Sequence, residues 1–362
     1  MFKKILLTFF IFIVLIVGFG IWFISLLTDE TNQPTISKTL PSEINYITQG
    51  IKESRGKILA VVTSADLMGV SGKTTGYELT ELARAYYVFQ SNGFEVDIAS
   101  PKGGEPPVVI DDDDMGIFDY AFLNDVKAQT KVKHSIPVEK IDPDQYKAVY
   151  FVGGKGAMFD FPDNLAIQKI VRNHYQTGKV IGAVCHGPAA LVNVTLDNGN
   201  QLLSNKKISA FTNEEELFLI KDARDIFPFL LEDKIVNQGA FFNSGSLYLD
   251  KISHDGNLIT GQNPWSVWSL AEAMISQLGY KPIPREITAE ENTVSILQTY
   301  DDAGFKKAKT LLKIKLTLQN KPLNRNLIAV HGLVAAMQWE VGKMLDLIRL
   351  TNTAKQLDTQ EK

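Results

Sequence analysis

The stretch VIGAVCHGPAAL, residues 180–191, is the starting point for interpreting the whole chain. Its small apolar residues predict a buried strand, and the residues after Cys185 have the composition of a helix start. A thiol at such a sharp turn projects from the backbone and faces the amide dipoles of the helix, which favour the thiolate. We therefore interpret Cys185 as a nucleophile with a lowered pKa rather than as a buried structural cysteine.

The segments around this turn alternate between strand and helix. Strands are predicted at 58–63, 94–100, 148–152, 180–184, 208–211 and 258–260, and helices at 80–91, at 164–175 and after Cys185. Apolar runs separated by helices are typical of a parallel sheet covered on both faces. The prediction is an α/β fold with a flavodoxin-like, mostly parallel sheet, helices on both faces, and the chemistry at the carboxyl ends of the strands.

The two ends of the 362-residue chain differ from this region. An uncharged apolar run extends from Ile5 to Leu27. As a helix this run is about 34 Å long, enough to span a membrane. We predict an uncleaved transmembrane anchor over residues 1–28, a polar linker over 29–55, a catalytic α/β domain over 56–283 and a C-terminal helical extension over 284–362.

The charges that flank the apolar run predict its orientation. Lys3 and Lys4 precede the run, and Asp29 and Glu30 follow it, which places the N-terminus in the cytoplasm by the positive-inside rule. The expected location is therefore the cell membrane, with a single pass and the catalytic domain outside the cytoplasm.

Composition excludes several classes of function. The formal net charge of -4 gives no reason to expect a nucleic-acid partner. Cys185 is the only cysteine, so no intramolecular disulfide can form, and the five histidines show no metal-ligand spacing. The segment 72–74 resembles the end of a phosphate-binding loop, but Gly69 lies too close to it for that loop. We expect neither a metal nor a cofactor.

Three further stretches bring chemistry to the same predicted edge of the sheet. Glu81 lies on the first turn of a predicted helix, and residues 214–216 are three consecutive glutamates at the end of a predicted strand. Gly153 and Gly154 follow another strand, where their backbone N–H groups are open to an oxyanion. Because the carboxyl ends of parallel strands meet at one edge, all three stretches are expected near Cys185.

Together these motifs resemble the ThiJ/PfpI superfamily, which shares its fold with class I glutamine amidotransferases. Within it they are most similar to the heat-shock chaperones that have glyoxalase III activity. The motifs are collinear over residues 56–283: TGYELTE (75–81), ASPKGG (99–104), GGKGAMFDFP (153–162), AVCHGP (183–188), FTNEEE (211–216) and TGQNP (260–264). The resemblance covers neither the N-terminal apolar run nor the C-terminal helices.

The resemblance implies roles for individual residues. Cys185 is implied as the nucleophile, and Glu81 as the acid that hydrogen-bonds its thiol. His186 and Glu216 complete a triad-like set. Glu215 stays open as an alternative to Glu216, because the three consecutive glutamates blur the correspondence.

The resemblance also implies an activity, with the backbone N–H groups of Gly154 and His186 as oxyanion donors. The expected function is that of a cofactor-free, glyoxalase III-like lyase of the D-lactate dehydratase type. It would convert methylglyoxal and related 2-oxoaldehydes into 2-hydroxy acids through Cys185. A deglycase-type repair enzyme, a hydrolase, and a non-enzymatic stress chaperone or oxidation sensor remain alternatives. Assembly as a homodimer is compatible with any of them.

Overall fold

The computed structural model describes residues 20–27, 36–111 and 115–358. Contacts divide the chain into two units. One unit runs from Gln33 to Arg285, and the other combines Glu286–Lys362 with the residues before Gln33. The first unit contains every predicted site residue, so its architecture is described first.

The sheet of the first unit is built around parallel strands. The strands are β1 Lys57–Val61, β2 Tyr77–Glu78, β3 Glu95–Ser100, β4 Val108–Val109, β5 Ile136–Pro137, β6 Ala148–Phe151, β7 Val180–Val184, β8 Lys207–Ile208, β9 Phe241–Phe242, β10 Ile252–Asp255 and β11 Leu258–Gly261. In the described residues, seven of them form one sheet in the order β10-β11-β7-β6-β1-β3-β5. Its neighbouring strands are parallel except for β10 and β11. The predicted α/β fold with a mostly parallel sheet is confirmed.

Strand β1 shows why both faces of the sheet are covered. Successive side chains of a strand point to opposite faces. Ile58 and Ala60 accordingly lie in one apolar core, whereas Leu59 and Val61 lie in another. All four are buried. A strand without a polar face must have a layer of helices on each side, as the sequence predicts.

Helices supply those two layers. The helices of the first unit are α1 Asn45–Thr48, α2 Leu79–Ser91, α3 Ile117–Asn124, α4 Val126–Lys133, α5 Ala157–Asp160, α6 Leu165–Gln176, α7 Asn213–Leu219, α8 Ala223–Ile226, α9 Leu231–Asn237 and α10 Val267–Gln277. Residues of α2 and α10 join the core of Ile58, and residues of α6 and α9 join that of Leu59. The segment after Cys185, predicted as helical, is a single turn of 3-10 helix, Gly187–Ala190.

The predicted strand over residues 208–211 is wrong in its placement. Only Lys207–Ile208 is extended, and it pairs with Phe241–Phe242 in a separate small sheet. The chain then turns toward the main sheet, where the Phe211 N–H donates to the Cys185 carbonyl at 2.9 Å. This contact brings the glutamates that follow Phe211 close to the Cys185 turn.

The second unit is helical where it is described. Its long helices are α11 Ala289–Lys313, α12 Arg325–Met337 and α13 Val341–Asp358. Trp339, with a φ of 64°, lies between α12 and α13. The apolar residues of 327–348 are therefore divided between two helices, and Met337 and Val341 stay exposed.

The predicted membrane anchor requires a correction. Within residues 20–27, 36–111 and 115–358, no helix combines the length and the apolarity needed to cross a membrane. The helical stretch at 20–24 covers only the end of the predicted anchor, whose residues 1–19 and 28 lie outside the described residues. The long helices α11 and α13 carry acidic and basic side chains along their length. The transmembrane helix, the membrane location and the placement of the catalytic domain outside the cytoplasm are therefore not upheld.

Candidate active site

The chain turns sharply at Cys185, directly after strand β7. Cys185 has a φ of 58°, a left-handed conformation that is unfavourable for residues other than glycine. Its N–H donates to the Gly261 carbonyl at 2.9 Å, and its own carbonyl accepts from Phe211. A Cβ at Gly187 would lie 2.3 Å from the Phe151 carbonyl oxygen, so the next turn requires glycine. Hydrogen bonds and close packing thus hold the strained elbow in place.

The Cys185 thiol, the His186 imidazole and the Glu216 carboxylate form a line. The His186 Nδ1 lies 3.3 Å from the Cys185 Sγ, and its Nε2 lies 2.6 Å from the Glu216 Oε2. The imidazole ring also packs against Phe211, with 4.6 Å between ring centroids, and against Phe227. The imidazole is therefore held between a thiol and a carboxylate, as nucleophilic catalysis requires.

The electrostatics of this line favour an ionised Glu216. Burial raises the pKa of Glu216, but the charge of His186 and the hydrogen bond to it outweigh burial and hold that pKa below its ordinary value. An ionised Glu216 orients the imidazole and stabilises its protonated form. His186 is thereby prepared to accept a proton from the thiol.

Glu81 approaches Cys185 from the first turn of α2. Its Oε2 accepts the Gly153 N–H at 2.7 Å, and its backbone carbonyl accepts the Tyr150 hydroxyl at 3.0 Å. Burial raises the pKa of Glu81 well above its usual value, and the charge of Glu78 adds to this rise. This rise favours the protonated form of Glu81, which carries a proton that it can donate.

The thiol itself has a pKa opposite to the one predicted. Burial raises the pKa of Cys185 well above its usual value, and Glu81 raises it further, whereas Lys155 acts in the other direction. The lowered pKa expected from a helix start is wrong because the segment Gly187–Ala190 is a single turn. Its dipole is small, while burial removes the water that would hydrate a thiolate.

The backbone donors implied by the sequence face the same site. Gly154 has a φ of +97°, and a Cβ there would lie 2.4 Å from the Gly76 carbonyl oxygen. The N–H groups of Gly154 and His186 make no hydrogen bond to another described residue. Both residues line the cavity that contains Cys185. These N–H groups are therefore available to a substrate oxygen.

A cavity of about 160 Å³ lies over Cys185. Its polar lining includes Glu78, Glu81, Asp111, Lys155 and His186, and its apolar lining includes Phe211, Leu219, Tyr248, Pro264 and Trp265. Sequence reasoning assigned no role to Lys155 or to the aromatic wall, although Lys155 stands in the motif of 153–162 and Phe211 in that of 211–216. In the part of the chain described, no cluster of histidine, cysteine and acidic residues could hold a metal ion.

Glu215 has a different position from Glu216. It is buried and forms a capping box with Thr212 at the start of α7. Its Oε1 accepts the Tyr248 N–H at 2.8 Å and the side-chain amides of Gln262 and Asn263 at 2.9 and 3.0 Å. Glu215 is therefore a buried carboxylate within this hydrogen-bond network, and the His186 ring contacts Glu216 instead. The threonine–glutamate spacing of a capping box was the signal that could have identified Glu215.

Comparison with known proteins agrees with this geometry. The glutathione-independent glyoxalase hsp3102 of Schizosaccharomyces pombe is 30% identical over 217 residues, which cover 57% of this chain and 90% of that protein. Glyoxalase 3 of Candida albicans is 29% identical over 232 residues, which cover 61% of this chain and 97% of that protein.

Solved structures extend the similarity to three dimensions. Rapid Encystment Protein 24 KDa of Francisella tularensis matches with a TM-score of 0.59 and 36% identity, over 62% of this chain and 99% of that one. Glyoxalase III from Candida albicans matches with a TM-score of 0.58 and 28% identity, over 61% and 97%. The model of the DJ-1/PfpI family matches residues 73–277, more than half of the chain. The resemblance predicted from the motifs is confirmed, and the chain belongs to the DJ-1/PfpI family.

Proposed function

We propose that this chain is a cofactor-free, glutathione-independent glyoxalase that converts methylglyoxal and related 2-oxoaldehydes into 2-hydroxy acids. The observation that carries the proposal is the hydrogen-bonded line of Cys185, His186 and Glu216, with Glu81 lining the same cavity. The relatives named as glyoxalases support the same activity. A cavity of about 160 Å³ also suits a small aldehyde.

The first step forms a bond between the Cys185 sulfur and the aldehyde carbon. His186 accepts the thiol proton through Nδ1 as the sulfur attacks, and the carbonyl electron pair moves onto oxygen. The backbone N–H groups of Gly154 and His186 stabilise this oxyanion. The oxyanion then takes the proton from His186, which gives a hemithioacetal.

The second step moves hydrogen from the former aldehyde carbon to the neighbouring ketone carbon. Glu81 donates its proton to the ketone oxygen, and its carboxylate or the His186 imidazole removes the carbon-bound proton. The resulting enediol receives a proton at the second carbon and loses one from the hydroxyl on the first, leaving a thioester. Water cleaves the carbon–sulfur bond, releases the 2-hydroxy acid and restores the thiol. The net reaction adds one water and needs no oxidant.

The test is lactate formation from methylglyoxal by the full chain. Cys185→Ala should lose the activity, because no other described residue offers a thiol. Glu216→Gln should lower kcat by about 10²-fold, as expected when a general acid–base pair loses its orienting carboxylate. The exposed neighbour Glu214 provides the matched control, since Glu214→Gln removes the same charge from the same helix. Lactate formation by Cys185→Ala at the wild-type rate would contradict the proposal.

A further inference from the structure

Lys155 is a cation in the cavity that the reaction as described does not use. It follows Gly154 directly, precedes the short helix α5, and lines the cavity together with Cys185 and His186. Its side chain is half-buried. Within the described residues, its ammonium group makes no ion pair and no hydrogen bond. A partly buried ammonium group without an anionic partner is unfavourable. This suggests that a negative charge forms beside it during the reaction.

The charges around Cys185 show what that partner is. The titratable groups that face it are Glu78 from β2, Glu81 from α2, Tyr150 from β6, Lys155, His186 and Tyr248, with Asp111 at the cavity wall. When the thiol proton passes to His186, the new cation is already paired with Glu216. The thiolate then lacks a cation of its own unless Lys155 supplies one.

The other source of stabilisation at the elbow is weak. The helix after Cys185 is only Gly187–Ala190, and amide dipoles become effective in longer helices. Burial and Glu81 both disfavour the thiolate, whereas Lys155 lowers the pKa of Cys185 and also that of Glu216. The charge of Lys155 therefore favours the ionised forms of both Cys185 and Glu216.

We propose that Lys155 is a positioning residue for Cys185, whose ammonium group in the shared cavity stabilises the sulfur anion. Its consequence for turnover rests on the proposed glyoxalase function, but its effect on the thiol does not. Because Cys185 is the only cysteine, the pH dependence of its alkylation reports on this single thiol without a substrate.

The experiment measures the rate of iodoacetamide alkylation of the full chain against pH by mass spectrometry. An opposite charge at close range shifts a pKa by about one unit or more, so Lys155→Gln should slow alkylation at neutral pH about tenfold. Lys155→Arg should keep the wild-type profile. Lys169→Gln removes an equal charge from the exposed side of α6, away from the cavity, and should also leave it unchanged. The thermal unfolding midpoint of each variant shows that it folds.

Two results would overturn the inference. The first is a Lys155→Gln profile identical to that of the wild type. The second is an equal shift in Lys169→Gln, which would indicate only a change in total charge. Turnover of methylglyoxal is measured in parallel. If Lys155→Gln shifts the alkylation profile but the wild type makes no lactate, the role of Lys155 is sustained and the proposed function is refuted. If the wild type makes lactate but Lys155→Gln leaves the profile unshifted, the proposed function is sustained and the role of Lys155 is refuted.

Discussion

Replacing Gly153 by alanine tests the packing on which the site depends. The Cβ of an alanine there would lie 2.5 Å from the Glu81 Oε2, 2.7 Å from the Val184 carbonyl oxygen and 2.8 Å from the Cys185 Cβ. All three distances are shorter than a carbon atom tolerates, and two of the neighbouring atoms are fixed by the sheet and the elbow. The added methyl must therefore displace Glu81 from the Gly153 N–H, the elbow from β7, or both.

The expected cost follows from that crowding. Adding a methylene to a well-packed core lowers the free energy of unfolding by about 1–3 kcal/mol. For a unit of this size, each kcal/mol lowers the melting temperature by roughly 2–4 °C. Glu81 also loses its position beside the thiol, so the pH profile of Cys185 alkylation should change. Glyoxalase activity should fall even at temperatures where the variant is fully folded.

Thermal unfolding and iodoacetamide alkylation of Gly153→Ala measure both effects. Gly342 provides the control, because a Cβ at that helical position meets no atom within 4 Å. Gly342→Ala should stabilise α13 by up to about 1 kcal/mol, as alanine favours a helix over glycine. If Gly153→Ala melted and reacted like the wild type, the close contact between Gly153, Glu81 and Cys185 would be refuted.

Two further changes test structural roles. Glu215→Gln should lower the free energy of unfolding by about 2–4 kcal/mol in urea titration, because the charged acceptor of Tyr248, Gln262 and Asn263 is lost; a cost below about 0.5 kcal/mol would refute this role. Burial, with Lys343 adding, lowers the pKa of His331 from 6.5 to about 4. Since only the unfolded chain binds that proton between these values, stability should be full above pH 6.5 and decline as the pH falls toward 4. His331→Gln should remove this part of the decline in thermal unfolding, and an unchanged decline would contradict the assignment.

The elements at the centre of the fold could be predicted because their signals are local. The short apolar run of 180–184 favours a buried strand, and Gly187 and Pro188 follow within four residues of its end. The helix of Glu81 likewise begins within one residue of its predicted start. The edge strand β10, which pairs antiparallel with β11, was missed. Its four residues are too few for an alternation of apolar and polar side chains to be recognised.

The chemistry at Cys185 depended on distances that no local pattern contains. Glu215 and Glu216 are neighbours on α7, so their side chains point about 100° apart, and the position of the helix against the elbow determines which one reaches His186. The pKa of the thiol is likewise raised by burial and by Glu81 and lowered by Lys155. Both residues lie far from Cys185 in the chain. The sequence by itself determined where a nucleophile could stand, because a strand-to-helix turn is local. Only the tertiary structure decided its ionisation and its partners, because burial and charge act through space.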